Sequence, residues 1–223
     1  MPELDTARIR GIVFDLWNTL AFNDHHPNPL IALADAFHLR GRPGWSKILE
    51  TAMMLRPLPG IESGIEALEQ ATGKTLPPGG AADLAQLWST ACRKTRFFPD
   101  VPPALERLAG RYGLGLLSNT QSFDMEFMDE TSLPLKARLF SFEAGLLKPD
   151  PEVFAQMAAR LDAQPGELLM VGDNLRDDVR GAEAAGMQAL LIRRRGAELS
   201  FVEAHADRRP LSSLWQLVEI LQA

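Results

Sequence analysis

Residues 8–20 read RIRGIVFDLWNTL. The segment is apolar through Ile12, Val13 and Phe14 and ends in the carboxylate of Asp15. Such a short run, rich in β-branched residues, is typical of a strand that is buried on both faces of a parallel sheet. Ligands of open parallel sheets bind beyond the carboxyl ends of the strands. We therefore expect Asp15 to lie at a functional site.

Three later segments repeat this arrangement of an apolar run followed by residues that can handle phosphate or metal. Ser118 and Asn119 follow the first run, Lys148 follows the second and precedes a proline-bounded turn, and the acidic sequence DNLRDD (173–178) follows the third. Each motif alone is a weak signal. Four of them in this order and spacing are not expected by chance.

The spacing of apolar residues predicts the fold class. Strand-like runs lie at about 9–15, 114–118, 138–142, 168–172 and 188–192, separated by helical patterns. This alternation predicts an α/β fold with a doubly wound parallel sheet. Residues 21–97 break it, because successive helical patterns occur there without a convincing strand, at Pro29–Leu39, Trp45–Leu55, Gly60–Ala71 and Ala81–Arg96. We expect an inserted helical domain at 21–97 and a core domain made of 1–20 and 98–223.

Taken in order, the four motifs resemble those of the haloacid dehalogenase-like hydrolases. The motifs of that family are an aspartate nucleophile, a Ser/Thr, a lysine and a paired acidic motif. The resemblance covers essentially all 223 residues. It implies a Rossmann-like core, and it implies that the insertion after the first motif is a mobile helical cap that closes over the active site. It also implies Mg²⁺ as the cofactor and an aspartyl-phosphate as the covalent intermediate.

The resemblance implies a role for particular residues of this chain. Asp15 would be both nucleophile and metal ligand, and Lys148 would orient it and offset the negative charge gathered there. The other catalytic candidates, which would contact the phosphoryl group through side chains or backbone amides, are Thr19, Ser118 and Asn119. The other metal candidates are Trp17, through its backbone carbonyl only, Asp173 and Asp178. Asp177 is expected to be a solvated neighbour of this motif.

Trp17 departs from the pattern of the family's phosphatases, which usually carry a second aspartate two residues after the nucleophile. That aspartate protonates the leaving group and then activates water, and an indole can do neither. Loss of a general acid typically costs about 10²–10⁴-fold in rate. The family's haloacid dehalogenases and phosphonate-cleaving enzymes also lack the aspartate. Unless His25 or His26 supplies the proton, phosphate hydrolysis by this chain should depend steeply on the leaving-group pKa.

Several functions are therefore compatible with the sequence. The first is a Mg²⁺-dependent phosphatase of a small phosphorylated metabolite, with His25, Arg40 and Arg42 as candidate substrate contacts. The second is a 2-haloacid dehalogenase in which Arg40 or Arg42 stabilises carboxylate or halide, although such enzymes lack a carboxylate at the position of Asp173. A phosphonate-cleaving enzyme would need Lys47 as a Schiff base. The last alternative is a catalytically degraded binding protein.

Charge and composition limit the class of protein further. The formal net charge of -6 argues against general nucleic-acid binding, and no apolar stretch approaches the roughly 20 residues that span a bilayer. The single cysteine, Cys92, precludes an intramolecular disulfide framework and suits a reducing compartment. The amino terminus lacks the basic start and the apolar run of a signal peptide. We expect a cytoplasmic enzyme that acts on a small molecule and binds neither nucleic acid nor membrane.

Overall fold

The computed structural model describes residues 4–194 and 210–222. Its strands are β1 (Gly11–Phe14), β2 (Ala21–Asn23), β3 (Thr95–Phe97), β4 (Gly113–Ser118), β5 (Ala137–Phe140), β6 (Leu168–Gly172) and β7 (Gln188–Leu191). Its helices are α1 (Pro29–Ala36), α2 (Trp45–Met54), α3 (Ile61–Thr72), α4 (Gly80–Cys92), α5 (Val101–Ala109), α6 (Phe127–Glu130), α7 (Ser141–Ala144), α8 (Pro151–Leu161), α9 (Gly181–Ala184) and α10 (Leu214–Leu221). A 3₁₀ turn covers Pro165–Glu167, and a π-helical turn covers Leu175–Arg180.

The core is a five-stranded parallel sheet with the strand order β5-β4-β1-β6-β7. The first strand lies at its centre, so that Phe14 is paired with Leu116 of β4 on one side and with Val171 of β6 on the other. This sheet confirms the predicted doubly wound α/β fold. It also brings the carboxyl ends of β1, β4 and β6 side by side, which is where open sheets of this type bind ligands.

Helices cover both faces of the sheet because side chains alternate along each strand. Ile12 and Phe14 are fully buried in a cluster with residues of α5 and α10. Val13, between them, belongs to the cluster on the opposite face, which α8 covers with Phe154 and Met157. A strand with no solvated face needs a continuous apolar run, which is the pattern that the sequence shows.

The inserted segment packs around a hydrophobic cluster formed mainly by its own helices. Leu33, Met53 and Leu68 are buried in it and come from α1, α2 and α3. Phe123, which follows β4, and Leu147, which precedes α8, belong to the same cluster. The helices α1–α4 therefore lie against the loops at the carboxyl edge of the sheet.

The expectation that residues 21–97 contain no strand is wrong at both ends of the segment. The strands β2 and β3 pair antiparallel, with Ala21 opposite Phe97, and form a two-stranded ribbon. The helix predicted to continue to Arg96 ends at Cys92 because the chain then enters this ribbon. Strands of three residues are too short to produce a recognisable alternation. Among the described residues, no helix is long and apolar enough to cross a membrane.

Candidate active site

Polar residues from four separate parts of the chain meet at the carboxyl edge of the sheet. Asp15 directly follows β1, Ser118 is the last residue of β4, and Asp173 directly follows β6. Lys148 comes from the loop between α7 and α8. The structure thus brings the four sequence motifs to one place, and three of them lie there because they end or follow neighbouring parallel strands.

Lys148 links two carboxylates inside the protein. Its side chain is only 3% exposed, and its Nζ donates to Asp15 Oδ1 at 2.7 Å and to Asp178 Oδ1 at 2.5 Å. A third hydrogen bond goes to the carbonyl oxygen of Leu117 at 3.1 Å. Burial alone would lower the pKa of Lys148, but the two carboxylates outweigh it and the pKa lies above its ordinary value. The lysine is therefore a permanent cation that holds Asp15 in place.

Asp15, Asp173 and Asp178 form a compact carboxylate cluster in which one oxygen of each lies within 4.8 Å of the others. Burial raises the pKa of Asp173 well above its ordinary value, and the charges of Asp15 and Asp178 raise it further. Lys148 opposes this shift only in part. A divalent cation among these oxygens would relieve the same repulsion, and carboxylate oxygens are the protein ligands that Mg²⁺ takes. The donor set therefore fits the predicted cofactor.

Asp178 is positioned by its own loop and by a glycine. Its Oδ2 accepts a hydrogen bond from the backbone N–H of Asn174 at 2.9 Å. A Cβ at Gly172 would overlap the Asp178 carboxylate, so only glycine at the end of β6 allows this close approach. Burial raises the pKa of Asp178 to about 6, against the opposing effect of Lys148.

The expectation that Asp177 is solvated is wrong. Its side chain is only 3% exposed and accepts hydrogen bonds from Arg176 Nε at 2.7 Å and from Asn174 Nδ2 at 3.0 Å. The π-helical turn at Leu175–Arg180 has a periodicity that differs from that of an α-helix. Both Asp177 and Asp178, which lie in this turn, are buried.

The indole of Trp17 is held by hydrogen bonding and by ring packing. Its Nε1 donates to Thr120 Oγ1 at 3.0 Å, and its ring lies 5.7 Å from that of Phe127. Trp17 lines the cavity beside Asp15. The geometry agrees with the chemical argument that this side chain is not a proton donor to a leaving group, since its N–H is already engaged. Whether its backbone carbonyl binds metal stays a prediction.

The remaining catalytic candidates differ in how they are placed. Asn119 lines the cavity and grips the backbone of Lys148, since its Oδ1 accepts from the Lys148 N–H at 2.8 Å and its Nδ2 donates to the Lys148 carbonyl at 3.2 Å. Ser118 is buried, and its Oγ lies 3.4 Å from the carbonyl oxygen of Asn119. Thr19 is also buried, and among the described residues its hydroxyl has no hydrogen-bond partner. Roles for Ser118 and Thr19 in catalysis stay predictions.

A cavity of about 140 Å³ lies between the edge of the sheet and the inserted helices. The inserted segment contributes a mixed polar and apolar wall, consisting of Asn23, Asn28, Leu30, Ile31, Trp45, Ser46, Leu49, Glu50 and Met54. The predicted substrate contacts His25, Arg40 and Arg42 do not line this cavity. His25 Nδ1 lies 3.0 Å from the carbonyl oxygen of Pro27, Arg40 lies 3.4 Å from Asp35, and Arg42 is exposed.

Glu50 is a cavity residue that the sequence pattern did not reveal. Its Oε2 is buried without a hydrogen-bond partner among the described residues, and the nearest cation, Lys47 Nζ, lies 3.9 Å away. Burial raises its pKa from 4.5 to about 7, and the charge of Asp177 adds to the shift. The residues around a glutamate in an amphipathic helix do not indicate that its side chain lines a cavity. Its position depends on how α2 lies over the sheet.

Replacing Glu50 with glutamine should stabilise the protein in a pH-dependent manner. Because the folded-state pKa of about 7 exceeds the ordinary 4.5, the parent protein loses stability as the pH rises through this window. Glutamine does not titrate, so we expect E50Q to gain about 1–3 kcal/mol over the parent at about pH 8 and almost nothing at about pH 4. Urea denaturation at both pH values measures this, and an equal gain at both would contradict the electrostatic explanation.

An α/β sheet that gathers a buried lysine and several carboxylates at its carboxyl edge is suited to an enzyme with a carboxylate nucleophile. The family model of the haloacid dehalogenase-like hydrolases matches residues 9–186. The chain therefore belongs to this family of hydrolases. This confirms the resemblance drawn from the four motifs.

Relatives of the chain include proteins with phosphatase names. The phosphoserine phosphatase of Thermus thermophilus is 34% identical over 148 residues, which cover 65% of this chain and 58% of that protein. The ribulose-1,5-bisphosphate 5-phosphatase of Halopiger xanaduensis is 31% identical over 130 residues, which cover 56% of this chain and 54% of that protein. The chain thus spans little more than half the length of these curated relatives.

Solved structures with the same fold include enzymes of more than one kind. A phosphatase of this family from Thermococcus onnurineus aligns with a TM-score of 0.63 and 24% sequence identity. A 2-haloacid dehalogenase from Pseudomonas syringae aligns with a TM-score of 0.57 and 24% sequence identity. Each alignment covers 96% of this chain and 98% of the solved chain. An enzyme of this family from Bacteroides thetaiotaomicron was solved in complex with magnesium and inorganic phosphate. It aligns with a TM-score of 0.60 and 16% sequence identity, and the alignment covers 86% of this chain and 98% of the solved chain. These likenesses show the fold and do not separate phosphatase from dehalogenase.

Proposed function

We propose that the protein is a Mg²⁺-dependent phosphatase of a small phosphorylated metabolite and works through an aspartyl-phosphate on Asp15. The observation that carries this proposal is the cluster of Asp15, Asp173 and Asp178 beside the buried Lys148. Three carboxylates around one ammonium group are suited to bind a divalent cation, and the bound cation would in turn favour binding of a phosphate ester. The phosphatase names of the relatives support the same activity. We keep the cytoplasm as its proposed location, because a single cysteine suits a reducing compartment.

Each core residue has a task that its geometry supports. Lys148 holds Asp15 by one carboxylate oxygen, which leaves the other oxygen for attack on phosphorus. Asn119 fixes the backbone of Lys148 and so maintains this contact. Bound Mg²⁺ would be held by Asp15 and Asp173, with Asp178 beside them, and would neutralise the phosphoryl oxygens. Attack by one anion on another requires this neutralisation.

The inserted segment acts in this proposal as a cap, residues 21–97, over a core made of residues 1–20 and 98–223. It supplies one wall of the cavity and would exclude water from the reaction when it lies on the core. The ribbon formed by β2 and β3 carries the chain into and out of the cap. A hinge motion would be absorbed at this ribbon and its flanking linkers.

A 2-haloacid dehalogenase is the second candidate, and two observations weigh against it. Displacement of halide by Asp15 needs no cation, yet Asp173 and Asp178 concentrate negative charge around the nucleophile. A haloacid also needs a cation for its carboxylate, and neither Arg40 nor Arg42 lines the cavity. The activity test therefore includes haloacids beside phosphate esters.

The first experiment measures hydrolysis of a panel of phosphorylated metabolites, 4-nitrophenyl phosphate and 2-haloacids, with Mg²⁺ and with EDTA. We expect release of phosphate that requires Mg²⁺, and no release of halide. Halide release that is insensitive to EDTA would establish the dehalogenase instead. Inactivity on every compound, together with undetectable Mg²⁺ binding, would favour a degraded enzyme.

Mg²⁺ binding should depend on Asp173. Replacing it with asparagine keeps the size of the side chain but removes one of the charged oxygens, so we expect affinity for Mg²⁺ to fall by about tenfold or more. Isothermal titration calorimetry measures the affinity directly. Asp83→Asn, at an exposed position of α4, is the matched control and should bind Mg²⁺ as the parent does. Equal affinity in D173N and the parent would show that the cluster is not the metal site.

A further inference from the structure

The proposed phosphatase lacks a proton donor at the position where its family's phosphatases carry one. Trp17 occupies that position, and its N–H is engaged by Thr120. Alkyl phosphates cannot be cleaved quickly unless the departing alkoxide receives a proton. An alkyl phosphate substrate would therefore need a donor from elsewhere in the cavity.

The described residues that line the cavity include six ionisable ones, which are Asp15, Glu50, Lys148, Asp173, Asp177 and Asp178. Asp15 is the nucleophile and Lys148 its partner, while Asp173 and Asp178 complete the carboxylate cluster. Asp177 is engaged by Arg176 and Asn174 through three hydrogen bonds. Glu50 Oε2 has no hydrogen-bond partner among the described residues, and its ion pair with Lys47 Nζ is long, at 3.9 Å. His25 and His26 do not line the cavity.

We infer that Glu50, on α2, is the general acid and base of the reaction, an inference that rests on the proposed phosphatase activity. In the first step Asp15 forms a bond to phosphorus as the bond to the leaving oxygen breaks, and the carboxyl proton of Glu50 passes to that oxygen. In the second step the Glu50 carboxylate accepts a proton from water. The water oxygen bonds to phosphorus, and the carboxylate of Asp15 is released.

The position of α2 supports this role. Lys47, one turn before Glu50, donates through Nζ to the carbonyl oxygen of Lys148 at 3.3 Å. At the end of the helix, Ser141 Oγ donates to the carbonyl oxygen of Met54 at 2.7 Å. These two contacts fix α2 against the loop that carries Lys148 and against the first residue of α7. Glu50 is thereby held at a defined place over the site, as a proton donor requires.

The surroundings of Glu50 suit both halves of the cycle. Burial and the charge of Asp177 raise its pKa to about 7, while Lys47, Arg176 and Lys148 lower it in part. A group with such a pKa is present in both protonation states near neutral pH and can donate in one step and accept in the next. Its Oε2 is buried without a hydrogen-bond partner among the described residues, so a leaving-group oxygen or a water held beside it in the cavity would supply the missing partner.

The test compares Glu50→Gln with the parent on two substrates in Mg²⁺. Glycerol 3-phosphate has a leaving group that needs a proton, whereas 2,4-dinitrophenyl phosphate does not. In single turnovers, which report the first step alone, we expect E50Q to lose about 10²–10⁴-fold in the rate of leaving-group release from the first substrate and less than about tenfold from the second. On the first substrate, the kcat/KM of the parent should fall above about pH 7, where Glu50 loses its proton, and that of E50Q should be low and flat. Glu50→Asp should recover part of the lost rate.

The control is Glu66→Gln, at an exposed position of α3, which should match the parent on both substrates. Equal losses in the single-turnover release of the two leaving groups would overturn the inference and make Glu50 a structural residue. A rise in KM confined to phosphoethanolamine would overturn it in favour of binding a substrate ammonium group. If the parent itself does not hydrolyse 2,4-dinitrophenyl phosphate, the proposed phosphatase activity has failed rather than the role of Glu50.

Discussion

Asp15→Asn will reduce turnover by about 10³-fold or more while the fold stays intact. The amide has almost the size of the acid but is a poor nucleophile, and Lys148 keeps its second partner, Asp178. Single-turnover hydrolysis of 2,4-dinitrophenyl phosphate measures the loss, and circular dichroism checks the fold. The low leaving-group pKa of this compound removes any need for a proton donor. The measurement therefore isolates the nucleophile.

Beryllium fluoride gives a second readout for Asp15, because it occupies the place of a phosphoryl group on a carboxylate. With Mg²⁺ it should raise the melting temperature of the parent and leave that of D15N unchanged. Asp83→Asn serves again as the control and should respond like the parent. Turnover by D15N within about tenfold of the parent would exclude a covalent role for this residue.

Lys148→Met will have the largest effect on stability. The substitution leaves Asp15 and Asp178 buried without their cation, and breaking a buried ion pair on one side typically costs about 3–5 kcal/mol. The loss should be greatest at about pH 8 and smaller at about pH 5. Asp178 has a pKa of about 6 even beside Lys148, which lowers it, so without the lysine its carboxyl takes up a proton at about pH 5. Chemical denaturation at both pH values measures it.

The matched control for Lys148 is Lys94→Met, at an exposed position after α4, which should change stability by less than about 0.5 kcal/mol. Mg²⁺ should restore part of the stability of K148M, because the cation replaces the missing positive charge. A loss that is the same at both pH values and insensitive to Mg²⁺ would show that packing of the lysine stem, rather than its charge, stabilises the site.

The sheet and its catalytic edge could be predicted from the sequence because both depend on local patterns. A buried central strand requires a continuous apolar run, so β1, β4 and β6 are visible in the sequence. The residue after each run must lie at the edge of the sheet. Asp15 and Asp173 could therefore be placed together from one rule, although many residues separate them in the chain.

Features that depend on tertiary packing could not be predicted in this way. The three-residue strands β2 and β3 exist only because the two ends of the inserted segment meet, and no alternation of three residues can indicate that. Charge alone makes Arg40 and Arg42 candidate substrate contacts, and neither lines the cavity. Glu50 lines the cavity because of where α2 packs, and that position is set by contacts with residues about one hundred positions further along the chain.

The two hydrogen bonds that seat α2 on the core also affect which molecules the enzyme would turn over. Because α2 forms one wall of the cavity, a bulky leaving group would keep α2 from reaching the Lys148 loop while its phosphate still reached Asp15. Such a molecule would occupy the enzyme without receiving a proton. Discrimination by size would then appear in kcat rather than in KM, and oversized phosphate esters would behave as competitive inhibitors of the true substrate.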